Sequence, residues 1–179
     1  NYYDDRGFVS STVIFENGIE IYQDYLAENG VWKIREFKND GHVIVNQTHP
    51  FYDIVSDDES GKAKEPVEVH YEKAMYDSLE DLIKEVFTKY VSFTAQKDRF
   101  FVAVHPLHIG VVESAIKNRS VVATFFEDRF DFSQTAQIAG FLENADNIIT
   151  DSDYTSQIIK DNLGELANNT SLNITDIPP

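Results

Sequence analysis

The sequence predicts an α/β chain: an extended antiparallel β-meander followed by part of a doubly wound, Rossmann-like parallel sheet. Three observations predict it. Glycines recur at Gly7, Gly18, Gly30 and Gly41, each closing a short polar cluster between β-branched and aromatic runs. The hydrophobic period becomes helical at Ser78. From Phe100 onward, apolar runs alternate with amphipathic segments across short links.

The meander comes first. Asp5-Arg6-Gly7, Glu16-Asn17-Gly18, Glu28-Asn29-Gly30 and Asn39-Asp40-Gly41 are turn sequences, because Asn-Gly and Asp-Gly accept positive φ. Between them Phe8–Phe15, Ile19–Leu26, Val31–Phe37 and Val43–Val45 read as strands. Apolar groups fall on both alternation classes, so neither face of this sheet reads as simply solvated. Phe51–Val55 and Val67–Tyr71 are expected to pair across a polar loop, Ser56–Glu65.

The second half begins with a helix from Ser78. Ser78 and Asp81 resemble a capping pair, and Leu79, Leu82, Ile83, Val86, Phe87 and Tyr90 fall at helical spacing. Phe100–Val104 reads as a parallel strand buried on both faces. A helix over Ile109–Lys117, a strand over Val121–Phe126 and a helix over Ser133–Glu143 follow. Strand Asn147–Thr150, helix Tyr154–Leu166 and strand Leu172–Ile174 complete the series. The expected division is a meander over residues 1–75 and a partial Rossmann-like domain over 76–179.

Composition narrows the function classes. Hydrophobic residues make up 42% of the 179, enough for a core. The net charge of −16, from 31 acidic and 15 basic side chains, opposes binding to nucleic acid or an anionic membrane. No basic patch offsets it. Without cysteine there is neither disulfide nor thiolate metal site, which suits a reducing cytoplasm. No run reaches the length of a membrane-spanning helix. The start at Asn1 without Met reads as a piece of something longer.

Ligands of an open parallel sheet bind beyond the carboxyl ends of its strands. Those ends carry His105-Pro106-Leu107-His108, Glu127-Asp128-Arg129 and Asp151-Ser152-Asp153. His105 and His108 suit a ligand pair or phosphate contact, but no third metal ligand accompanies them, and a locally bonded loop histidine is the simpler reading. Glu127, Asp128 and Arg129 could hold acid, base and anion clamp, but a self-satisfied salt bridge at the strand end is the simpler reading. Ser152 or Asp153 reads most simply as a helix N-cap. No Gly-rich nucleotide loop, nucleophile elbow or zinc helix motif is present. The sequence therefore assigns no catalytic residue, cofactor or metal. Among the meander aromatics, Tyr2, Tyr3, Phe8, Tyr22, Tyr25, Trp32 and Phe37 pack internally or form a platform for sugar or peptide.

Several of these stretches resemble a known family. Asn1-Tyr2-Tyr3-Asp4-Asp5-Arg6-Gly7-Phe8-Val9-Ser10-Ser11, Tyr22-Gln23-Asp24-Tyr25-Leu26 and Gly30-Val31-Trp32-Lys33-Ile34-Arg35-Glu36-Phe37 look like the β-meander extension of certain bacterial GT-B glycosyltransferases. Val122–Phe130 and Asn173–Pro178 look like the same group. Within it, the chain is most similar to the first accessory secretory protein of the accessory Sec system of Gram-positive bacteria. The resemblance implies a partial GT-B N-terminal domain in a cytoplasmic protein, peripheral at the inner face of the membrane, that has lost transferase activity. Implied partners are sister accessory Sec proteins, the accessory SecA-type motor and a glycosylated serine-rich-repeat adhesin. Active relatives end the strand matching Val121–Phe126 in a His-containing loop, where this chain has Glu127-Asp128-Arg129, and that departure puts sugar transfer in doubt. On this basis Tyr3, Phe8, Tyr22, Tyr25, Trp32 and Phe37 are expected to bind partner or acceptor. His105, His108, Glu127, Asp128, Arg129 and Ser152 are expected to form a vestigial cleft rim. The competing expectations are the acceptor half of an active glycosyltransferase and a carbohydrate-binding module.

Overall fold

The structure, a computed structural model, describes residues 1–48, 51–52, 68–126, 135–169 and 173–176. Two compact units result, Asn1–Phe93 and Thr94–Pro179.

The first unit is built on the meander. Its strands β1 (Tyr2–Tyr3), β2 (Val9–Glu16), β3 (Ile19–Leu26), β4 (Trp32–Phe37) and β5 (Val43–Val45) pair antiparallel in chain order. The glycines that close the turns all have positive φ, from 78° to 89°. Between β2 and β3 Asn17 shares that region at φ 50°, ahead of Gly18 at 80°, as a two-residue hairpin of primed type requires. A two-stranded ribbon follows, β6 (Phe51–Tyr52) against β7 (Glu68–Val69), in accord with the expected pairing. Strand β8 (Met75–Tyr76) then returns to the outer edge of β5, making a six-stranded sheet. Two residues are too few to show alternation, and the sequence reading had no strand there.

Helix α1 (Leu79–Phe93) opens on the expected cap. The Asp81 amide donates to Ser78 Oγ at 3.1 Å, and that hydroxyl donates to the Asp81 carboxylate at 3.0 Å. Leu82 of α1 is buried with Val43, Val45 and Tyr76, flanked by Ile34, Tyr71, Leu79 and Val86. Val43 pairs with Glu36 and Val45 with Ile34, so this core lies on one face of the sheet. Beside it, the Tyr76 hydroxyl donates to Glu85 at 2.6 Å, and Lys89 bridges Glu85 at 2.7 Å to the His70 carbonyl. The helix is thereby tied to the segment that enters β8.

The second unit is a four-stranded, wholly parallel sheet. Strands β9 (Arg99–Ala103), β10 (Ser120–Phe125), β11 (Asn147–Thr150) and β12 (Asn173–Asp176) lie side by side in chain order. Helices α2 (Pro106–Ile116), α3 (Thr135–Leu142) and α4 (Asp153–Asn169) make the crossovers, with α3 touching both neighbours. Ile109, Ile138, Ile148, Ile159 and Phe125 are its innermost side chains. One expectation is corrected. Strand β9 is not buried on both faces: it is the sheet edge among the described residues, and Phe101 is 66% exposed. The doubly buried strand is β10, where Val121 through Phe125 are all buried. An apolar run alone does not show whether a strand is central or marginal, and so does not fix how far it is buried.

Candidate functional site

The carboxyl edge of the parallel sheet holds three of the expected positions. Residues His105 to His108 were expected in a loop, but α2 begins at Pro106, a residue whose fixed φ and missing N–H suit the first helical position. His108 thus sits in the first turn of α2, its Nδ1 3.0 Å from the Ala103 carbonyl. The His105 and His108 rings lie 5.4 Å apart, tilted by 49°. Ser152 is the N-cap of α4: its Oγ accepts from the Thr155 amide at 3.2 Å. The Thr155 hydroxyl donates to Asp151 at 2.7 Å. Glu127, Asp128 and Arg129 lie outside the described residues. Among the described residues, no three His, Asp or Glu side chains gather as metal ligands.

The meander aromatics are arranged more tightly. The face opposite the core carries Tyr22, Asp24 and Leu26 of β3, set against Phe37, Arg35 and Trp32 of β4. Regular alternation would not place Trp32 there, since it would share a side with Ile34 and Glu36. A β-bulge changes this: Tyr25 pairs with Ile34 but Leu26 pairs with Trp32, so Lys33 is the extra residue and Trp32 turns to the side of Arg35. The Arg35 guanidinium then stacks 4.0 Å from the Tyr22 ring and 5.2 Å from the Trp32 ring. Asp24 holds it from the side, Nε to Oδ1 at 2.7 Å and Nη2 to Oδ2 at 2.9 Å. The hydrogen bond that Arg35 donates to Asp24 raises the Arg35 pKa above its ordinary value, so the cation is permanent.

The row extends sideways. The Phe37 ring lies 5.9 Å from Tyr22 and stacks on His42 at 4.3 Å, nearly parallel at 9°. His42 Nδ1 is 2.5 Å from Asp40. Trp32, Arg35, Tyr22, Phe37 and His42 therefore form one continuous, half-buried aromatic and cationic strip.

The other expected platform residues are elsewhere. Tyr25 lies on the core face, where its hydroxyl donates to Glu36 at 3.0 Å. Burial, with Glu36 adding to it, pushes the Tyr25 hydroxyl up to about 12. Phe8 lies under the Arg6 guanidinium at 4.8 Å, and Arg6 is paired with Asp4 at 2.9 Å and with Glu28 at 2.5 Å. Tyr3, on the two-residue edge strand, is 67% exposed. Sequence reasoning thus found the aromatics of the strip and missed Arg35 and Asp24, which organise them. Their opposite charges flank the Glu28-Asn29-Gly30 turn at positions that pair across a hairpin, and that was the available signal.

A meander stapled by one helix, followed in the chain by a wholly parallel sheet, is a restrictive combination. The sequence profile of accessory Sec system protein 1 matches residues 1–173. The chain belongs to that family. A curated member from Streptococcus gordonii, named as this accessory Sec system protein, is 36% identical over 155 residues. The match takes in 84% of this chain and 26% of that protein, so the chain spans about a quarter of the relative's length. Two solved complexes share the fold at 24% identity. One is the glycosylation associate protein (Gap123) complex of Streptococcus agalactiae, with a TM-score of 0.71 over 98% of this chain and 31% of its counterpart. The other is accessory secretory protein 1, 2 and 3 of Streptococcus pneumoniae, with a TM-score of 0.70 over 98% and 32%. The GtfA/B complex bound to UDP and GlcNAc is more distant, at 12% identity and a TM-score of 0.55, over 98% of this chain and 34% of that one. The accessory Sec family member described here therefore has a glycosyltransferase-like α/β fold. No helix among its described residues is long and apolar enough to cross a membrane.

Proposed function

We propose that this chain is the partner-binding part of a non-catalytic component of the accessory Sec export system. In this reading the strip formed by Trp32, Arg35, Tyr22 and Phe37 meets sister accessory proteins or the serine-rich-repeat adhesin, in the cytoplasm and ahead of the SecA-type motor. Tyr3 and Phe8 extend the contact along the sheet margin. His105, His108 and Ser152 belong to a cleft rim that no longer serves transfer; Glu127, Asp128 and Arg129, expected on the same rim, lie outside the described residues.

One observation carries the reading: Arg35 is held rigid between two aromatic rings by a two-pronged bond to Asp24. Tryptophan, tyrosine and arginine dominate protein–protein contact energies, and side chains already locked in place lose little entropy on binding. The presence of sister proteins in the solved complexes of relatives supports the same choice. A sugar platform is less well served, because the Tyr22 and Trp32 rings already stack on the guanidinium.

The test uses the full-length protein and its purified sister proteins in titration calorimetry. Trp32→Ala and Arg35→Ala are expected to weaken assembly by about tenfold or more, equivalent to ~1.4 kcal/mol or more. Unchanged affinity in both variants would refute the role of the strip. The runner-up, an acceptor half of an active glycosyltransferase, is favoured by the shared fold with the GtfA/B complex. It predicts UDP-sugar hydrolysis or transfer by the full-length protein, and measurable turnover would replace the non-catalytic reading. Glycan affinity lost in Trp32→Ala would instead favour a carbohydrate-binding module.

A further inference from the structure

The end of the β2–β3 hairpin is unlike the rest of the meander. Ile14, Phe15 and Ile19 are 37%, 56% and 68% exposed, three bare apolar side chains that flank the Asn17-Gly18 turn. Single exposed apolar residues are ordinary, but three on one turn are not. The register distributes them over both sides. Ile14 pairs with Tyr22 and Glu16 with Ile19 on the side of the aromatic strip, while Phe15 pairs with Glu20 on the other. A bulge at Ile21 allows this, since Ile14 faces Tyr22 and the next residue, Phe15, faces Glu20.

The charges at this end have one sign. Glu16 and Glu20 are exposed, and among the described residues neither makes an ion pair. The cation nearest along the strands, Lys38, hydrogen-bonds to Ile21 through its backbone but directs its ammonium group to Glu36 at 2.9 Å. Elsewhere on the sheet, Asp24, Glu28 and Glu36 each have an Arg or Lys partner. The hairpin end thus combines uncovered apolar surface with uncompensated negative charge.

We propose that the β2–β3 hairpin end is a docking point for a basic, apolar segment of a partner polypeptide. Its apolar side chains would cover Ile14, Phe15 and Ile19, and its Lys or Arg side chains would pair with Glu16 and Glu20. Charge selects this occupant. A second copy of the chain would bring the same two glutamates against each other on a molecule of net charge −16. An anionic membrane or nucleic acid is repelled for the same reason. The inference rests on the reading of the meander as a partner surface and names the chemistry of one partner segment.

The experiment measures assembly of the full-length protein with its sister accessory proteins at low salt and at about 0.5 M salt, where exposed pairs are screened. Phe15→Ser with Ile19→Ser, and separately Glu16→Gln with Glu20→Gln, are each expected to weaken binding by about tenfold. The glutamate variant is expected to lose most of the salt dependence. Synthetic peptides of alternating Lys and Val bind the parent more tightly than the hairpin variants, and matched peptides with Glu for Lys, or Ser for Val, do not bind. All four residues are exposed, so unchanged thermal unfolding verifies that the variants are folded. Unaltered assembly in both hairpin variants, with loss in Trp32→Ala, overturns this proposal and leaves the partner surface standing. Unaltered assembly in all of them overturns both. Binding of the Glu-bearing peptides, or concentration-dependent dimerisation abolished by the serine variant, also overturns it.

Discussion

Arg35 and Asp24 face each other across β3 and β4 as a register pair, joined by two parallel N–H···O bonds of 2.7 and 2.9 Å. Both are largely shielded, with side chains 29% and 14% exposed. Such a fork has directional strength that a single ammonium cannot reproduce.

Replacing either partner is therefore expected to cost stability. Arg35→Ala and Asp24→Ala each lower the unfolding free energy by about 1–2 kcal/mol, because a shielded charge loses its partner. The double variant costs less than the sum, with a coupling of about 1 kcal/mol in a double-mutant cycle by urea unfolding. Arg35→Lys does not restore the wild-type value, since it keeps the charge and loses both the fork and the stacking. Additive effects would show that the two side chains act independently.

The turn glycines and the helix glycine respond oppositely to the same change. At Gly18 a Cβ would meet nothing within 4 Å, so only its φ of 80° resists a side chain. Gly18→Ala should destabilise by about 1–2 kcal/mol. A Cβ at Gly140 also meets nothing within 4 Å, but this glycine is inside α3. Gly140→Ala should stabilise by about 0.5–1 kcal/mol, by restricting the unfolded chain. Thermal unfolding of the two variants gives shifts of opposite sign, and equal shifts would contradict the backbone argument.

Acid sensitivity is expected at the middle of α1, at Glu85. Burial alone would raise the Glu85 pKa, but Lys89, the Tyr76 hydroxyl and the Glu72 amide together hold it below its ordinary 4.5. A depressed carboxyl contributes stability that is complete above the unfolded value and lost as pH falls through the folded one. Unfolding free energy should thus decline as pH drops below about 4.5, and Glu85→Gln should flatten that part of the profile. An unaltered profile in this variant would assign the acid response to other carboxyls.

The alkaline side has a separate signature. Tyr25 and Tyr76 are both pushed up to about 12, chiefly by burial and then by the glutamates they donate to. A raised tyrosine contributes stability that is complete below its ordinary 10 and lost as pH rises toward 12. Ultraviolet titration of the nine tyrosines should therefore show a late phase that shrinks in Tyr25→Phe and again in Tyr76→Phe. A titration without a late phase in the native protein would show that neither hydroxyl is held as described.

Much of the fold was legible because its signals are local. Asn17-Gly18 accepts positive φ wherever it occurs, and the Ser78–Asp81 cap needs only one turn of helix. The alternation of apolar runs with helical spacing from Phe100 onward likewise indicates parallel strands and crossovers without tertiary information. The position of β9 was not legible, since Phe101 has the composition of a buried strand and only the neighbouring strands decide that it is an edge. Strand β8 was not legible either, because two residues carry no period.

The site divides along the same line. The sequence by itself determined that aromatic residues populate the meander strands, that the surface is strongly acidic, and that turns fall at four glycines. Tertiary structure alone decided which side each aromatic faces. One extra residue, Lys33, reverses the parity of β4 before Ile34, moving Trp32 onto the face of Arg35 while Tyr25 remains on the core face. Side chains alternate with period two, so a one-residue bulge changes the composition of a face without changing the composition of the strand.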